Sequence, residues 1–306
     1  MTLNSILSLF ITGLISLTAS RVQRTAILVD PFTEYISGHC KEYCEENGIR
    51  VVEVVSPFTA GFLKSRGNPL PDSLIAPKEG DEMSWASDND ISLSDSCNCC
   101  VIPESDACVP TAERIAAKLN IRGNGVSPHL RNKFKANERV RSKGLKAVKQ
   151  VAAKNWEEAE EFLTNKLWKG CNESEQYCVV KPCRGVASDG VHLCRSLVEA
   201  RKAFKNLHNK HRFGGGKNDV VLVQEFVTGQ EYAVDTVAMN GHIKVVALWK
   251  YNKRPANGAP FVYQCSQLCS ADSAEAKEVC DYCVAVLKAQ GLKWGPTHTE
   301  VKYILL

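Results

Sequence analysis

Three lysines from separate segments, Lys133, Lys181 and Lys250, and three acids from two others, Glu231, Asp235 and Glu300, are the residues whose types could do chemistry together. In VVKPCRGVASDGVHLC, Val179 to Cys194, Lys181 closes an apolar run. A loop of small residues follows, with Gly185, Ala187, Ser188 and Gly190. Small residues let backbone N–H groups approach an anion, and a lysine adds a point charge. The stretch therefore reads as a lid over phosphates or, taken alone, as an ordinary hairpin turn. In VLVQEFVTGQEYAVD, Val221 to Asp235, residues two apart share a strand face, so Glu231 and Asp235 point the same way with Ala233 between them. Such a face is either solvated or supplied with hydroxyl or cationic partners. Glu300, in the final strand-like run, is either an exposed edge residue or a metal ligand. Magnesium bound with nucleotide phosphates takes one or two carboxylates and several waters. Each lysine on its own also reads as a solvated surface charge.

The elements that must position these residues fall into two regions. Thr25–Asp30 is a buried strand, Tyr35–Asn47 has helical spacing up to Gly48, and Ile49–Val55 is a second strand. Strand, helix and strand in that order imply a parallel sheet. Asp81–Asp95 reads as an acidic loop, Cys99–Pro103 as a third strand and Thr111–Leu119 as a helix. Ser127-Pro128 then opens a helix expected to run to Ser142 and stop at Gly144. Val148–Ala152 and Tyr177–Lys181 read as strands. Asn155 caps a helix through Leu167, and Ser196 with Glu199 forms a capping box for another that reaches Leu207. Val220–Phe226 and Glu231–Met239 are strands. Asn240-Gly241 is a hairpin signal into Ile243–Tyr251, which places Lys250 near the end of the return strand. Asp272 and Glu275 cap the last helix, which ends at Gly291.

The totals narrow the classes. The chain has 306 residues, 38 lysines and arginines against 34 acids, and no basic stripe of the kind nucleic-acid binders carry. The densest basic stretch, Lys205–Lys217, surrounds three glycines and reads as a solvated loop. Fourteen cysteines in a chain of this length do not imply a disulfide scaffold. Cys97, Cys99 and Cys100, and the pair Cys280 and Cys283, have metal-like spacing. The latter pair falls in a helical pattern, where cysteines are packed as small apolar residues. Ile6–Leu17 is apolar but shorter than the roughly 20 residues of a membrane span. No basic segment precedes it, and Thr18-Ala19-Ser20 resembles a cleavage site, so residues 1–24 read as a leader or an extension.

From about Thr25 onward the chain resembles the ATP-grasp superfamily, in the branch of the L-amino acid ligases and carnosine synthase. The matching segments, in the family's order, are VIPESDACVPTAERIAAKLNIRGNG, RNKFKANERVRSKGL, VVKP with SDGV, VQEFVTGQEYAVD, LWKYNKRPANGAPFVY and GPTHTEV. The resemblance implies an α/β chain: an ATP-grasp fold of two α+β subdomains, preceded by a small Rossmann-like domain. It implies boundaries of 25–126 for the first domain and 127–306 for the second, whose lid covers about 145–210 and whose larger part covers about 211–306. The family's roles carry over as follows. Lys133 and Lys181 resemble the lysines that hold ATP phosphates, with Gly185, Ser188 and Gly190 in the lid. Gln224, Glu225, Phe226 and Val227 resemble the strand whose backbone reads adenine, and Glu231 the carboxylate on the ribose hydroxyls. Lys250 resembles a further phosphate contact, His298 a residue near the reacting group, and Glu300 the first ligand of magnesium or manganese.

The implied reaction joins a small-molecule carboxylate to an amine, with ATP consumed to ADP through an acyl phosphate. The implied setting is cytoplasmic, with no nucleic acid, no stable membrane span and a homodimer as one possible assembly. Two departures limit the transfer. Asp106-Ala107-Cys108 stands where relatives have Glu-Pro-Gly, and Arg184 replaces a residue that is small or acidic in this branch. Relatives also continue past Glu300 into a strand with a second magnesium glutamate, whereas six residues follow Glu300 here. The expectation is a reading truncated from a longer ligase, with a non-catalytic, nucleotide-binding pseudo-ligase as the alternative.

Overall fold

Strand β1 (Thr25–Val29) is buried at every residue, because both of its faces are covered. Ala26 and Leu28 pack on one side with Cys40, Cys44, Ile49 and Cys100. Ile27 and Val29 pack on the other with Val52, Val54, Ile115 and Leu119. This is the two-faced apolar pattern of a central strand in a parallel sheet. The computed structural model describes residues 23–32, 37–93, 98–185, 189–211 and 217–304. The leader or extension lies outside them except for residues 23 and 24, as do Ser188 of the lid loop and Cys97.

The described chain divides into two compact units. The first holds residues up to Pro128 with 237–246 and 291–296. Its three-stranded parallel sheet has the order β2 (Arg50–Val54), β1, β3 (Cys99–Pro103). Its helices are α1 (His39–Glu46), α2 (Pro57–Ser65), α3 (Glu82–Asp88) and α4 (Val109–Lys118). Asp30, at the end of β1, has φ 58° and accepts hydrogen bonds from the Ser56 backbone N (2.6 Å), Ser56 Oγ (2.7 Å) and Thr59 Oγ1 (2.8 Å). Ser56 in turn caps α2. The acidic stretch expected to be a loop contains α3 instead. Glu82 is buried there, and its carboxylate accepts from Gly80 N at 2.8 Å and pairs with Arg114, so the acid is used internally.

The second unit, 129–236 with 247–290 and 297–306, contains one four-stranded sheet and most of another. The first has the order β4 (Gln150–Ala153), β7 (Val221–Glu225), β5 (Cys178–Pro182), β6 (His192–Cys194), and all its pairings are antiparallel. Helices α6 (Trp156–Phe162) and α7 (Leu197–Leu207) cover one face, where Cys178, Val180, Val221 and Val223 join Trp156, Phe162 and Phe204 in one core. By alternation Val179, Lys181, Leu222 and Gln224 belong to the other face. Helix α5 (Lys133–Ser142) begins later than the sequence suggests. Asn132 is its cap, accepting from Lys135 N at 3.0 Å, while the backbone N of Ser127 is committed to Glu113 at 3.0 Å.

The other sheet has the order β10 (Ala259–Leu268), β9 (His242–Ala256), β8 (Gln230–Met239), β11 (Gly295–Tyr303). Helix α8 (Ala274–Gln290) buries Cys280 and Cys283, and it starts behind Ser273, whose Oγ accepts from Ala276 N, rather than behind Asp272. Two Asn-Gly turns make this sheet. Asn240 and Gly241 have φ 50° and 79°, and Asn257 and Gly258 have φ 51° and 78°, the left-handed backbone that a two-residue hairpin needs. The second turn was not read from the sequence, so β9 runs five residues past Tyr251 and β10 is an additional strand.

Gly229 precedes β8 with φ 114°, and a Cβ built on it would lie 2.3 Å from the carbonyl oxygen of Tyr303 on β11. Gly241 also has a positive φ, but a Cβ there meets nothing within 4 Å. Gly241→Ala should therefore cost about 1 kcal/mol of backbone strain, and Gly229→Ala at least about 2 kcal/mol more. Urea unfolding of the two variants checks this; equal midpoints would show that β11 yields without cost.

Candidate functional site

Charged residues from three strands of the second sheet collect on one face. On β8 the even-numbered Tyr232, Val234 and Thr236 are buried, and the Tyr232 hydroxyl donates to Glu275 of α8 at 2.7 Å. The odd-numbered Glu231 and Asp235 therefore lie on the opposite face. On β11 the same face is presented by His298, Glu300 and Lys302, and on β9 by Trp249, Tyr251 and Lys253. The contacts agree with this assignment. Glu231 accepts Lys253 Nζ at 2.5 Å and Lys302 Nζ at 3.1 Å. Asp235 accepts Trp249 Nε1 at 2.6 Å and bonds His298 Nδ1 at 2.6 Å. The other nitrogen of His298 bonds the Tyr251 hydroxyl at 2.8 Å. Glu300 accepts from the Tyr263 hydroxyl at 3.0 Å.

These pairings set the charge states. Burial alone would raise the Asp235 carboxyl, but the hydrogen bonds from His298 and Trp249 outweigh it and hold the group below the usual aspartate range. Burial also works against the Lys253 ammonium. The Glu231 carboxylate and the Tyr263 hydroxyl overcome it and keep the lysine above its usual range. Lys253 also lies over the Tyr263 ring at 4.2 Å and the Tyr251 ring at 5.1 Å. The Tyr251 hydroxyl is pushed up to about 12 by burial and by the charge of Glu300.

The first sheet of this unit brings two further cations. Lys133 is the first residue of α5; its backbone N donates to Cys183 O at 2.8 Å and its Nζ to Gly185 O at 2.7 Å. Lys181 sits on β5, two residues before Cys183. Burial lowers its ammonium to about 8, with the Lys133 charge acting in the same direction and Glu300 and Glu231 acting against it. Two ammoniums beside each other in a half-buried site are costly to keep charged, and a bound polyanion would relieve that cost. Gly190 has φ 69°, and a Cβ there would come within 2.9 Å of Leu207 and 3.1 Å of Pro182, so residue 190 itself lies close against the end of β5.

Of the residues singled out in the sequence, Lys133, Glu231 and Glu300 each act electrostatically on Lys181. Gln224 and Glu225 sit at the end of β7, where Glu225 closes a bracket with Lys149: its N donates to Lys149 O at 2.9 Å and its Oε1 accepts Lys149 N at 2.7 Å. Phe226 packs between Tyr177 and Phe261, with centroids 6.1 and 6.3 Å away, and half-buried Val227 follows it.

Lys250 does not join the group. It lies one residue from both Trp249 and Tyr251 and so shares the face of buried Leu248, opposite Glu231. Lys253 is the cation β9 presents to the charged face. Lys253, Lys302, Trp249, Tyr251 and Tyr263 were not singled out in the sequence, and Asp235 was singled out only as sharing the face of Glu231. The second Asn-Gly turn was the available signal for Lys253, because it extends β9 and fixes which residues share parity with Tyr251. Lys302 could have been found as the residue two beyond Glu300.

Comparison with known proteins bears on the family and the fold. Residues 174–304 match the family described as the ATP-grasp domain. Over 171 residues, 56% of the chain, the sequence is 31% identical to dapdiamide A synthase of Enterobacter agglomerans, a match that spans 38% of that protein. Over 83 residues, 27% of the chain, it is 32% identical to D-alanine–D-alanine ligase of Fervidobacterium nodosum, spanning 24% of that protein. The chain thus covers less than two thirds of the length of either relative. Its fold is similar to that of an L-amino acid ligase from Bacillus licheniformis, with a TM-score of 0.62 and 17% identity over 93% of this chain and 64% of that one. The α/β architecture is that of the ATP-grasp fold. Among the described residues no helix is long and apolar enough to cross a membrane.

The Asp235 network carries a pH signature. Its folded pKa lies below the unfolded value of about 3.9, so its contribution is complete above that value and is lost as pH falls through the folded pKa. Asp235→Asn should lower the urea midpoint at pH 7, and the gap to wild type should close below about pH 4. A gap of constant size from pH 7 to pH 3 would show that the Asp235 charge contributes nothing to stability.

Proposed function

We propose that this chain, which belongs to the ATP-grasp superfamily, binds Mg-ATP on the charged face of its second unit and acts as part of an ADP-forming carboxylate–amine ligase. The observation that carries this reading is that Lys181 of β5 feels together the charges of Lys133 of α5, Glu231 of β8 and Glu300 of β11, four separate elements, while the Lys133 backbone N donates to Cys183 O at 2.8 Å, just beyond Lys181. The names of the relatives, a synthase and two ligases, support the same class. Bound ATP with its metal would supply the phosphoryl group that activates a substrate carboxylate as an acyl phosphate, which an amine then displaces to give an amide.

The residues divide the work by charge and placement. Lys133 and Lys181 hold phosphate oxygens and offset the charge that develops on them. Gly185, whose carbonyl accepts Lys133 Nζ at 2.7 Å, and Gly190 flank the stretch assigned to the phosphates. The backbone from Gln224 to Val227, at the end of β7, presents donors and acceptors to the base, and Glu231 accepts the sugar hydroxyls. Lys253 takes the phosphate role that the sequence suggested for Lys250. Glu300 supplies one metal ligand. A magnesium ion bound with ATP takes one or two carboxylates beside phosphate oxygens and water, and Glu300 would be one of them. His298, oriented by Asp235 and Tyr251, lies two residues from Glu300 on the same face and addresses the reacting carboxyl group. Catalysis of this kind is positioning and electrostatics.

Two measurements test the reading. With Mg-ATP and a panel of amino acids, the chain should release ADP and phosphate only when both a carboxylate and an amine are present, and Lys181→Ala should lower the rate by about 100-fold or more. Release of AMP and pyrophosphate would overturn it; nucleotide binding with no turnover would leave the non-catalytic alternative. Affinity should also depend on pH. A bound anion favours the charged form of Lys181, so ATP affinity should be level below about pH 8, the point to which Lys181 is lowered, and fall above it. Titrations from pH 7 to 10 should show this fall in wild type and lose it in Lys181→Ala.

A further inference from the structure

Glu231 is held by one lysine more than its charge requires. Lys253 of β9 pairs with Oε1 at 2.5 Å, and Lys302 of β11 pairs with Oε2 at 3.1 Å. The Glu231 side chain is 14% exposed and that of Lys253 is 15% exposed, whereas that of Lys302 is 35% exposed. A largely buried carboxylate stripped of its cation is strongly unfavourable, and more so than the pair is favourable. Lys253 is the lysine with alternatives. Its ammonium also rests against Tyr251 and Tyr263, on the same face as Glu300, where an incoming polyphosphate would compete for it.

We propose that Lys302 is a positioning residue: it keeps Glu231 neutralised and oriented when Lys253 turns from that carboxylate to nucleotide phosphate. The inference rests on the reading of this face as a nucleotide site. Its physical content is an exchange of ion pairs in which no bond is made or broken. Before binding, two cations share one carboxylate. Afterwards Lys302 stays with the carboxylate and Lys253 pairs with phosphate, so no buried charge is left alone. Without Lys302, Lys253 must either stay on Glu231 and forgo the phosphate or leave Glu231 bare. Either course weakens binding.

A double-mutant cycle on the full chain, read by equilibrium titration with Mg-ATP, separates this from a direct contact. Lys302→Met should weaken binding by about tenfold in the wild-type background. The same substitution should change affinity by less than about twofold in a Glu231→Gln background, where no carboxylate can be stranded. Lys302→Arg, which keeps the charge, should stay within about threefold of wild type. An equal loss in both backgrounds would overturn the proposal, because Lys302 would then act on the nucleotide or on the fold independently of Glu231. No loss in the wild-type background would overturn it while leaving the nucleotide site intact. A wild-type chain that does not bind Mg-ATP would overturn this proposal and the functional reading together.

Discussion

Charges on a half-buried sheet face have to neutralise one another, and the site of this protein is organised by that requirement. Glu231 and Asp235 stand on the face of β8 away from α8, where neither is freely hydrated. Each is satisfied by neighbouring strands: Glu231 by Lys253 and Lys302, and Asp235 by Trp249 and His298. These partners fix the side chains of three strands relative to one another and set the protonation states on the face. Removing one member would leave a partner buried without compensation, which costs more than the missing contact alone.

The two lysines at the end of β5 pose the opposite problem. Lys133 and Lys181 lie close enough that each disfavours the other's charge, and the carboxylates of Glu231 and Glu300 only partly offset this. Burial, with the Lys133 charge added, lowers Lys181 to about 8, while Lys253, held by Glu231, stays above its usual range. Phe226, packed between Tyr177 and Phe261, adds an apolar surface beside the β7 backbone.

The first unit works by a different principle. Its parallel sheet is covered on both faces, and its polar residues are turned inward to close the structure. Asp30 ties the end of β1 to the start of α2, and Glu82 ties α3 to Arg114 of α4. An acid-rich segment that reads as a loop becomes a helix because Arg114 and the Gly80 N–H supply what a buried carboxylate needs. Local composition could not reveal a partner more than thirty positions away.

Much of the architecture was legible because it depends on short-range chemistry. The apolar run of β1, the caps at Asn155 and Ser196, the stop at Gly291 and the Asn240-Gly241 turn are local signals, and each marks the element it suggests. The sequence also placed Glu231 and Asp235 on one face, since strand alternation is fixed by the backbone. Which cation meets which carboxylate was settled only by tertiary structure. Lys250 and Lys253 are equivalent by residue type, and their fates depend on the parity and length of β9, which the second hairpin sets. Lys302 reaches Glu231 because β11 pairs beside β8 rather than elsewhere. Residue types determined what chemistry was available, and strand order determined which charges share one face, because pairing between strands joins positions that no local pattern connects.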